Sequence, residues 1–332
     1  MARSVTVTST WPDMLGGIAS ESKRVVAAHS RHFLALSVLF LLPLSSLLVA
    51  APSFLFSSST TASVSSSPPS FSLLRLDLHL PGLSTPSIVA LYFSAAILLF
   101  LSAAAAVSGS VHRGFYGRPV KLLASLRSLP APLAGLVLTL AAALLPLAAI
   151  FLLLASLLVL SFKALDFLHL SPSFSPYIYS LFAAVAVISL ILLQLHWSLA
   201  GVIAILESSW GFAPLQRSAA LIKMMRLASL CIHLFFEIAI GLTLWGCSLG
   251  KVGKTEGDWS EVVPVVARTI FALGITTVMF LYWMVTGVVL YMYCKALHGE
   301  LAREIAEEFA WEYVFLPFDE RKVPHVVSVI RQ

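Results

Sequence analysis

The 332-residue chain contains no asparagine and only three glutamines. No N-x-S/T glycosylation acceptor can exist in it, and no Asn side chain can line a filter or hold a metal. Charge is also scarce. Asp, Glu, Lys and Arg make up 11% of the residues, against about 25% in an ordinary soluble domain. Cysteine is limited to Cys231, Cys247 and Cys294, with no C-x-x-C pair. Cys231 and Cys247 fall in one apolar run, about 24 Å apart on a straight helix, too far for a disulfide. These thiols read as small apolar fillers. Together the shortages exclude a disordered chain, a coiled coil and a disulfide-stapled secreted module.

What is present is apolar surface, 59% of the residues. A bilayer core of about 30 Å needs about 20 consecutive apolar residues in a helix. Six runs are long enough: 33–56, 87–107, 133–160, 177–205, 227–249 and 265–294. They hold nearly half of the chain but, among its charged residues, only Glu237 and Arg268. The expected fold is all-α, a polytopic bundle of six transmembrane helices in a single membrane domain.

Basic residues set the orientation. Sixteen of the 21 Lys and Arg residues lie in the N-terminal segment 1–32, the second and fourth loops and the tail 295–332. Only Arg75, Lys163, Lys251 and Lys254 lie in the opposite loops. Both termini are therefore expected in the cytoplasm, with the protein in the endomembrane system or the plasma membrane. Span one starts after 32 residues that carry both charge signs, and reads as an uncleaved span rather than a signal peptide. The net charge of +5 follows from this topology and calls for no nucleic acid.

Each outward span is preceded by a basic, partly apolar stretch, beginning near Gly17, Gly114 and Gly211. In the third stretch Leu215, Ser218, Leu221, Ile222 and Met225 share one helical face, while Gln216, Arg217 and Lys223 lie on the other and Arg226 at the boundary. In the first, Leu15, Ile18, Val25 and Val26 oppose Lys23, Arg24 and Arg31. In the second, Leu122, Leu123 and Leu126 are flanked by Lys121 and Arg127, with Arg118 upstream. This pattern predicts cytoplasmic amphipathic helices lying in the interface, their cations contacting anionic headgroups. Simple anchoring of the topology and docking of a protein are the other readings.

The loop 57–86 is Ser-rich over 57–72 and reads as a flexible non-cytoplasmic linker. Residues 73–80 alternate Leu with polar groups, a strand signal. Asp77 and His79, echoed by Asp166 and His169, lack the helix-fixed spacing of a metal site, and no metal or cofactor is expected. In the tail, Leu297, Leu301, Ile305 and Phe309 recur every fourth residue among Glu300, Glu304, Glu307 and Glu308. That spacing predicts an acidic amphipathic helix able to pair with the basic stretches or to bind a protein partner.

Few groups carry chemistry. Glu237 lies near mid-depth of span five, with His233 one turn earlier; His196 and Gln194 lie in span four. A carboxylate in hydrocarbon must face the bundle, lose its charge or pair. These four residues make either an interhelical hydrogen-bond clamp or a coupled binding site, unless span five sits shallow and places Glu237 at the interface. Arg268 is expected near the outer interface, too far to pair with Glu237. Gly246-Cys-Ser248-Leu-Gly250 matches the G-x-S-x-G pattern, but that motif needs a strand-to-helix turn and here it ends a membrane helix. No H-E-x-x-H and no Walker loop occur. No catalytic set emerges, and no enzyme is expected. Gly201, Gly241 and Gly287 permit close helix contacts, and Gly246 with Gly250 makes one G-x-x-x-G pair.

The stretch Val202-Ile-Ala-Ile-Leu-Glu207-Ser-Ser-Trp-Gly211-Phe-Ala-Pro-Leu-Gln-Arg217-Ser218-Ala-Ala-Leu-Ile-Lys223 resembles a recurring segment of a plant family of uncharacterised six-span integral membrane proteins. There a span ends in Val/Leu-Glu, followed by a glycine and a basic-Ser helix ending in Lys. Gly117-Arg-Pro-Val and Ser128-Leu-Pro130 resemble that family's second loop. Cys294-Lys295 with His298 and Glu300 resembles its tail. The layout is also distantly similar to the membrane domain attached to bacterial glycerophosphodiester phosphodiesterases, without their catalytic barrel. The third span opens on Pro132-Leu-Ala-Gly135 where that domain has basic residues. The resemblance implies a fold and a kingdom rather than an activity. With so few polar groups for a mid-depth cavity, the expected role is a membrane scaffold, adaptor or membrane-organising protein. The alternative is a carrier for a lipid or small hydrophobic solute through Glu237 and its His neighbours.

Overall fold

The computed structural model describes residues 11–60, 85–116, 122–167, 175–248, 259–304 and 306. Every regular element among them is helical. In chain order the α-helices are α1 (Trp11–Ala28), α2 (Ser30–Leu36), α3 (Leu42–Thr60), α4 (Thr85–Phe115), α5 (Leu122–Arg127), α6 (Pro130–Phe167), α7 (Ser175–Trp197), α8 (Ala200–Leu206), α9 (Ala213–Leu221), α10 (Arg226–Ser248) and α11 (Trp259–Leu297). Six segments are long and apolar enough to cross a bilayer: Ser30–Ala51, Ser87–Phe115, Pro130–Ala164, Pro176–Leu206, Arg226–Cys247 and Val263–Leu297.

The spans fall close to the runs read from sequence, with two differences. The second runs on to Phe115, beyond the last long apolar stretch. There Ser110 and Arg113 bond back to the carbonyls of Ala106 and Gly109 at 2.7 and 3.1 Å, so polar side chains prolong the helix instead of ending it. The first helix continues through Ser57–Thr60, four residues expected in the linker. The alternating segment 73–80, His169 and most of the tail lie outside the described residues. Span one also changes winding. Pro43 has no N–H for the carbonyl of Leu39, and the backbone widens into a π turn at Ser37–Leu41, a common response to an interrupted ladder.

α11 is the hub, packing against α10, α1, α3, α4 and α8. Val285, Val288, Val289, Leu290, Tyr291, Met292 and Cys294 are all buried on it. α4 meets the hub through small residues, Ala103, Ala106 and Val107, which let backbones approach closely. α1 lies on α11 and α10 with Ile18, Ser22 and Val25 buried. At Gly17 an added Cβ would stand 3.1 Å from the Tyr293 hydroxyl, so a larger residue there would have to push that ring aside. α6 and α7 pair with each other beside this core, and α8 and α9 join them to it.

The short helices α1, α5 and α9 gather at one end of the bundle, hereafter the α1 end. The apolar face of α9, with Leu215, Ser218 and Leu221, is buried against protein, as are Ile222 and Met225, which follow the helix. The glycines of the three stretches also differ. Gly17 lies inside α1, Gly114 near the end of α4, and Gly211 in a turn. The repeat is one of layout (short helix, then hairpin) and not of equivalent residues.

Candidate functional site

The densest polar cluster forms where α8 ends. Glu207 follows Leu206, and the chain then turns through Ser208 at φ 49° and Gly211 at φ 76°. Positive φ suits glycine and strains serine. The turn leads into α9, started by Pro214 in its first turn, and carries Arg217 back over Glu207. Arg217 Nε lies 2.5 Å from Glu207 Oε2 and its Nη2 donates to Glu300 Oε2 at 2.6 Å. Tyr291, buried on the hub, donates its hydroxyl to Glu207 Oε1 at 2.8 Å. Lys295 Nζ lies 2.5 Å from Glu304 Oε2 and 5.6 Å from the centre of the Tyr291 ring.

Glu300 reaches Arg217 because the hub helix stops at Leu297. Gly299 takes φ 73°, a left-handed residue of the kind that ends helices, and a helical turn resumes at Glu300. The planar guanidinium suits two carboxylates at once. Hydrogen bonding and charge from Glu207, then from Glu300, raise its pKa further against the opposing cost of partial burial. Arg217 is therefore committed to protein carboxylates. Its side chain stays 38% exposed beside them.

Ser218 holds the break between α7 and α8. Its hydroxyl donates to the carbonyl of His196 at 2.7 Å and accepts from the N–H of Leu199 at 3.1 Å. One side chain thus satisfies the end of one helix and the start of the next. Ser229 supports the same break through the Ser198 hydroxyl at 3.2 Å. Of the family-like residues, Glu207 and Arg217 pair, Ser218 holds the α7–α8 break, Gly211 makes the turn, and Lys223 is exposed.

The mid-depth residues divide. Gln194, His233 and Glu237 line one tight crevice between α7 and α10, with Ile191, Leu195, Ser229, Leu230 and Leu234. His233 donates Nδ1–H to the carbonyl of Ser229 at 2.8 Å and stands edge-on to Trp283. His196 is apart, its ring bonded to the carbonyl of Leu192 at 2.7 Å. Arg268 caps the carbonyl of Cys247 at 2.8 Å, far along α10 from Glu237. Gly246, Cys247 and Ser248 are helical, unlike a nucleophile elbow; Gly250 lies outside the described residues.

A second network escaped the sequence reading. His32 Nε2 lies 2.9 Å from the Ser110 hydroxyl, and Arg113 Nη2 donates to Ser125 at 2.9 Å. It ties α2, α4 and α5 together. The signal available was two serines and a His-Arg pair at the end of an apolar run. Of the expected headgroup contacts, Lys23, Arg24, Arg127, Lys223 and Arg226 are exposed at the α1 end, Arg24 also pairing with Glu21 at 3.3 Å. Arg118 and Lys121 lie outside the described residues. No group of three or more His, Cys, Asp or Glu is placed to hold a metal among the described residues.

No curated protein and no solved structure matches the chain. Residues 14–308, which take in every cluster above, match the family model described as Domain of unknown function (DUF8558), and the chain belongs to that family.

Proposed function

We propose that this protein is a non-catalytic scaffold or adaptor of a membrane, with both termini cytoplasmic, in the endomembrane system or the plasma membrane. One observation carries the reading. The α6–α7 hairpin is held to the bundle near the α1 end but leaves its apolar sides uncovered: none of its most apolar stretch is buried. Its serines, Ser156, Ser161, Ser180 and Ser189, bond back to their own helices. The hairpin thus offers lipid or a partner helix a mostly apolar surface, with Lys163, Tyr177 and Tyr179 exposed only at the end away from α1. At the α1 end, Lys23, Lys223 and Arg226 would face anionic headgroups, and the tail 295–332 would offer a protein a second contact. Kinship with the plant six-span proteins, through Glu207 to Lys223, belongs to the same proposal.

The test is a photo-crosslinking amino acid at Leu152, 71% exposed on α6, and as a control at the buried Leu290. The scaffold reading expects a protein adduct of defined mass at Leu152 and none at Leu290, in native membranes. The second reading, a lipid or solute carrier, is favoured by the crevice of Gln194, His233 and Glu237. Lipid adducts alone at Leu152, with lipid movement by reconstituted protein that Glu237→Leu abolishes, would replace the scaffold by the carrier.

A further inference from the structure

Between Arg226 and Thr243, and Cys231 apart, the polar side chains of α10 are Ser229, His233 and Glu237. They stand four residues apart and so share one helical face. That face meets α7, whose Gln194 lines the same crevice. Ser229 sits in the first turn of α10, near the exposed Arg226 at the α1 end. Glu237 lies about 16 Å further along the helix than Arg226, at 1.5 Å per residue. Polar groups in hydrocarbon are costly and mark ion or proton pathways. Here they form a column from the helix end to mid-depth.

The hydrogen bonds of this column have a direction. The carbonyl of Ser229 can only accept, so His233 carries its proton on Nδ1. The same N–H stands 3.5 Å from the Ser229 hydroxyl, which donates onward to the Ser198 hydroxyl at 3.2 Å. Each link points its hydrogen outward, toward the half-exposed Ser198 in the break between α7 and α8. At the inner end, Nε2 is left as the acceptor of the ring. Neither Nε2 nor the Glu237 carboxyl has a hydrogen-bond or ionic partner among the described residues. Both residues line the crevice, which has room for about one water. A water there would join a carboxyl donor to an imidazole acceptor.

The neighbours supply no counter-charge. α10 packs on α11, α1, α3 and α7. α11 has no carboxylate, Lys, Arg or His between Arg268 and Lys295, and α3 has none at all. On α7, His196 bonds its own helix at the carbonyl of Leu192. The charged side chains of α1 lie at the α1 end. The group that can neutralise a Glu237 carboxylate at this depth is therefore a proton.

We propose that Glu237 is a proton-binding site inside the membrane, and that His233, Ser229 and Ser198 relay its proton to the water at the α1 end. The acid form of Glu237 gives its proton through one water to Nε2. The imidazolium gives its Nδ1 proton to the Ser229 hydroxyl, which passes its own to Ser198 and so to water. One proton leaves for each carboxylate formed, and return of the ring to its Nδ1–H form resets the path. The two nitrogens of one imidazole suit it to such a shuttle. The proposal rests on the central group of the carrier reading and deepens it, naming the proton as the ion taken up there.

The experiment follows the carboxyl C=O band of Glu237 by infrared spectroscopy after a rapid switch from H2O to D2O. It uses the purified full chain in phosphatidylcholine nanodiscs, and the band is the one that Glu237→Gln removes. His233→Ala should exchange about a hundredfold more slowly than wild type, the usual worth of a positioned proton-transfer group. Imidazole added to the buffer should restore the rate, which it would not do if the ring served packing alone. Ser229→Ala should slow exchange less, because water can stand in for one hydroxyl. A wild-type rate in His233→Ala overturns the proposal, as do slow exchange that imidazole does not rescue and the lack of any band that Glu237→Gln removes. Lipid movement by the reconstituted protein is scored separately. A working relay without lipid movement removes the carrier reading and leaves the relay; lipid movement with His233→Ala exchanging like wild type does the reverse.

Discussion

The sixth span and the hairpin of the third and fourth are built from similar material and meet opposite fates. In the most apolar 18-residue stretch of the sixth span 56% of the residues are buried; in those of the third and fourth, none are. The hairpin carries the most apolar stretch of all and the hub the least apolar. In water that order would be reversed. In a bilayer the lipid tails are as apolar as leucine, so burial follows packing and hydrogen bonding. The hub buries Thr276, Thr277 and Thr286, and Thr277 bonds Ser45 of span one at 3.1 Å. α6 offers leucines along its apolar stretch, and the hydroxyls of Ser156 and Ser161 are spent on its own carbonyls.

The sharpest way to break this contrast is to cut the same side chain from each region. Leu290→Ala, at a fully buried site, should cost about 2–3 kcal/mol through the cavity it leaves. Leu153→Ala on the exposed face of α6 should stay within about 0.5 kcal/mol. Reversible unfolding in bicelles checks both, and equal losses would dissolve the distinction. Next comes Ser218→Ala, which strands the His196 carbonyl and the Leu199 N–H and should cost about 1–2 kcal/mol. Arg217→Ala should cost about 1 kcal/mol, since the cluster is partly solvated. Its clearer readout is faster proteolysis after Gly299, which Arg217→Lys restores only in part because an ammonium cannot bridge two carboxylates in the same plane. Smaller still is Gly17→Ala, below about 1 kcal/mol, and Tyr293→Phe should cancel part of that loss by removing the hydroxyl that the new methyl meets. Ser156→Ala, on the hairpin, should change nothing measurable, because its hydroxyl bonds only to its own helix.

Span positions were legible because length and hydropathy are local properties. The apolar side of α9 and the turn after it was legible too: Leu215, Ser218, Leu221, Ile222 and Met225 are the residues that become buried. Periodicity names a face but not what covers it, and the structure supplies the cover: protein. The cluster at Glu207 was half legible. Glu207, Arg217 and Glu300 each stood out, and pairing of the acidic tail with basic stretches was foreseen. Which partners meet depends on two left-handed residues, Ser208 and Gly211, and on the break at Gly299, and only glycine announces such geometry in advance. Tyr291 gave no signal, because 84 residues separate it from Glu207 and its neighbours are uniformly apolar. Gln194 and Glu237 were named from their rarity alone, and the structure brings them to one crevice through the pairing of α7 with α10.

The account rests on the claim that α11 is enclosed by protein while the α6–α7 hairpin is not. Site-directed spin labels, one at a time along Leu144 to Leu160 and along Phe280 to Met292, report contact with oxygen dissolved in the lipid. In purified protein reconstituted in vesicles, labels on α6 should show high oxygen accessibility except on the narrow face of Leu147, Ile150 and Leu154 that meets α7, while those along α11 stay protected on most sides. A protected stripe along α6 as broad as that of α11 would contradict the account, because the hairpin would then be part of the core and not its free arm.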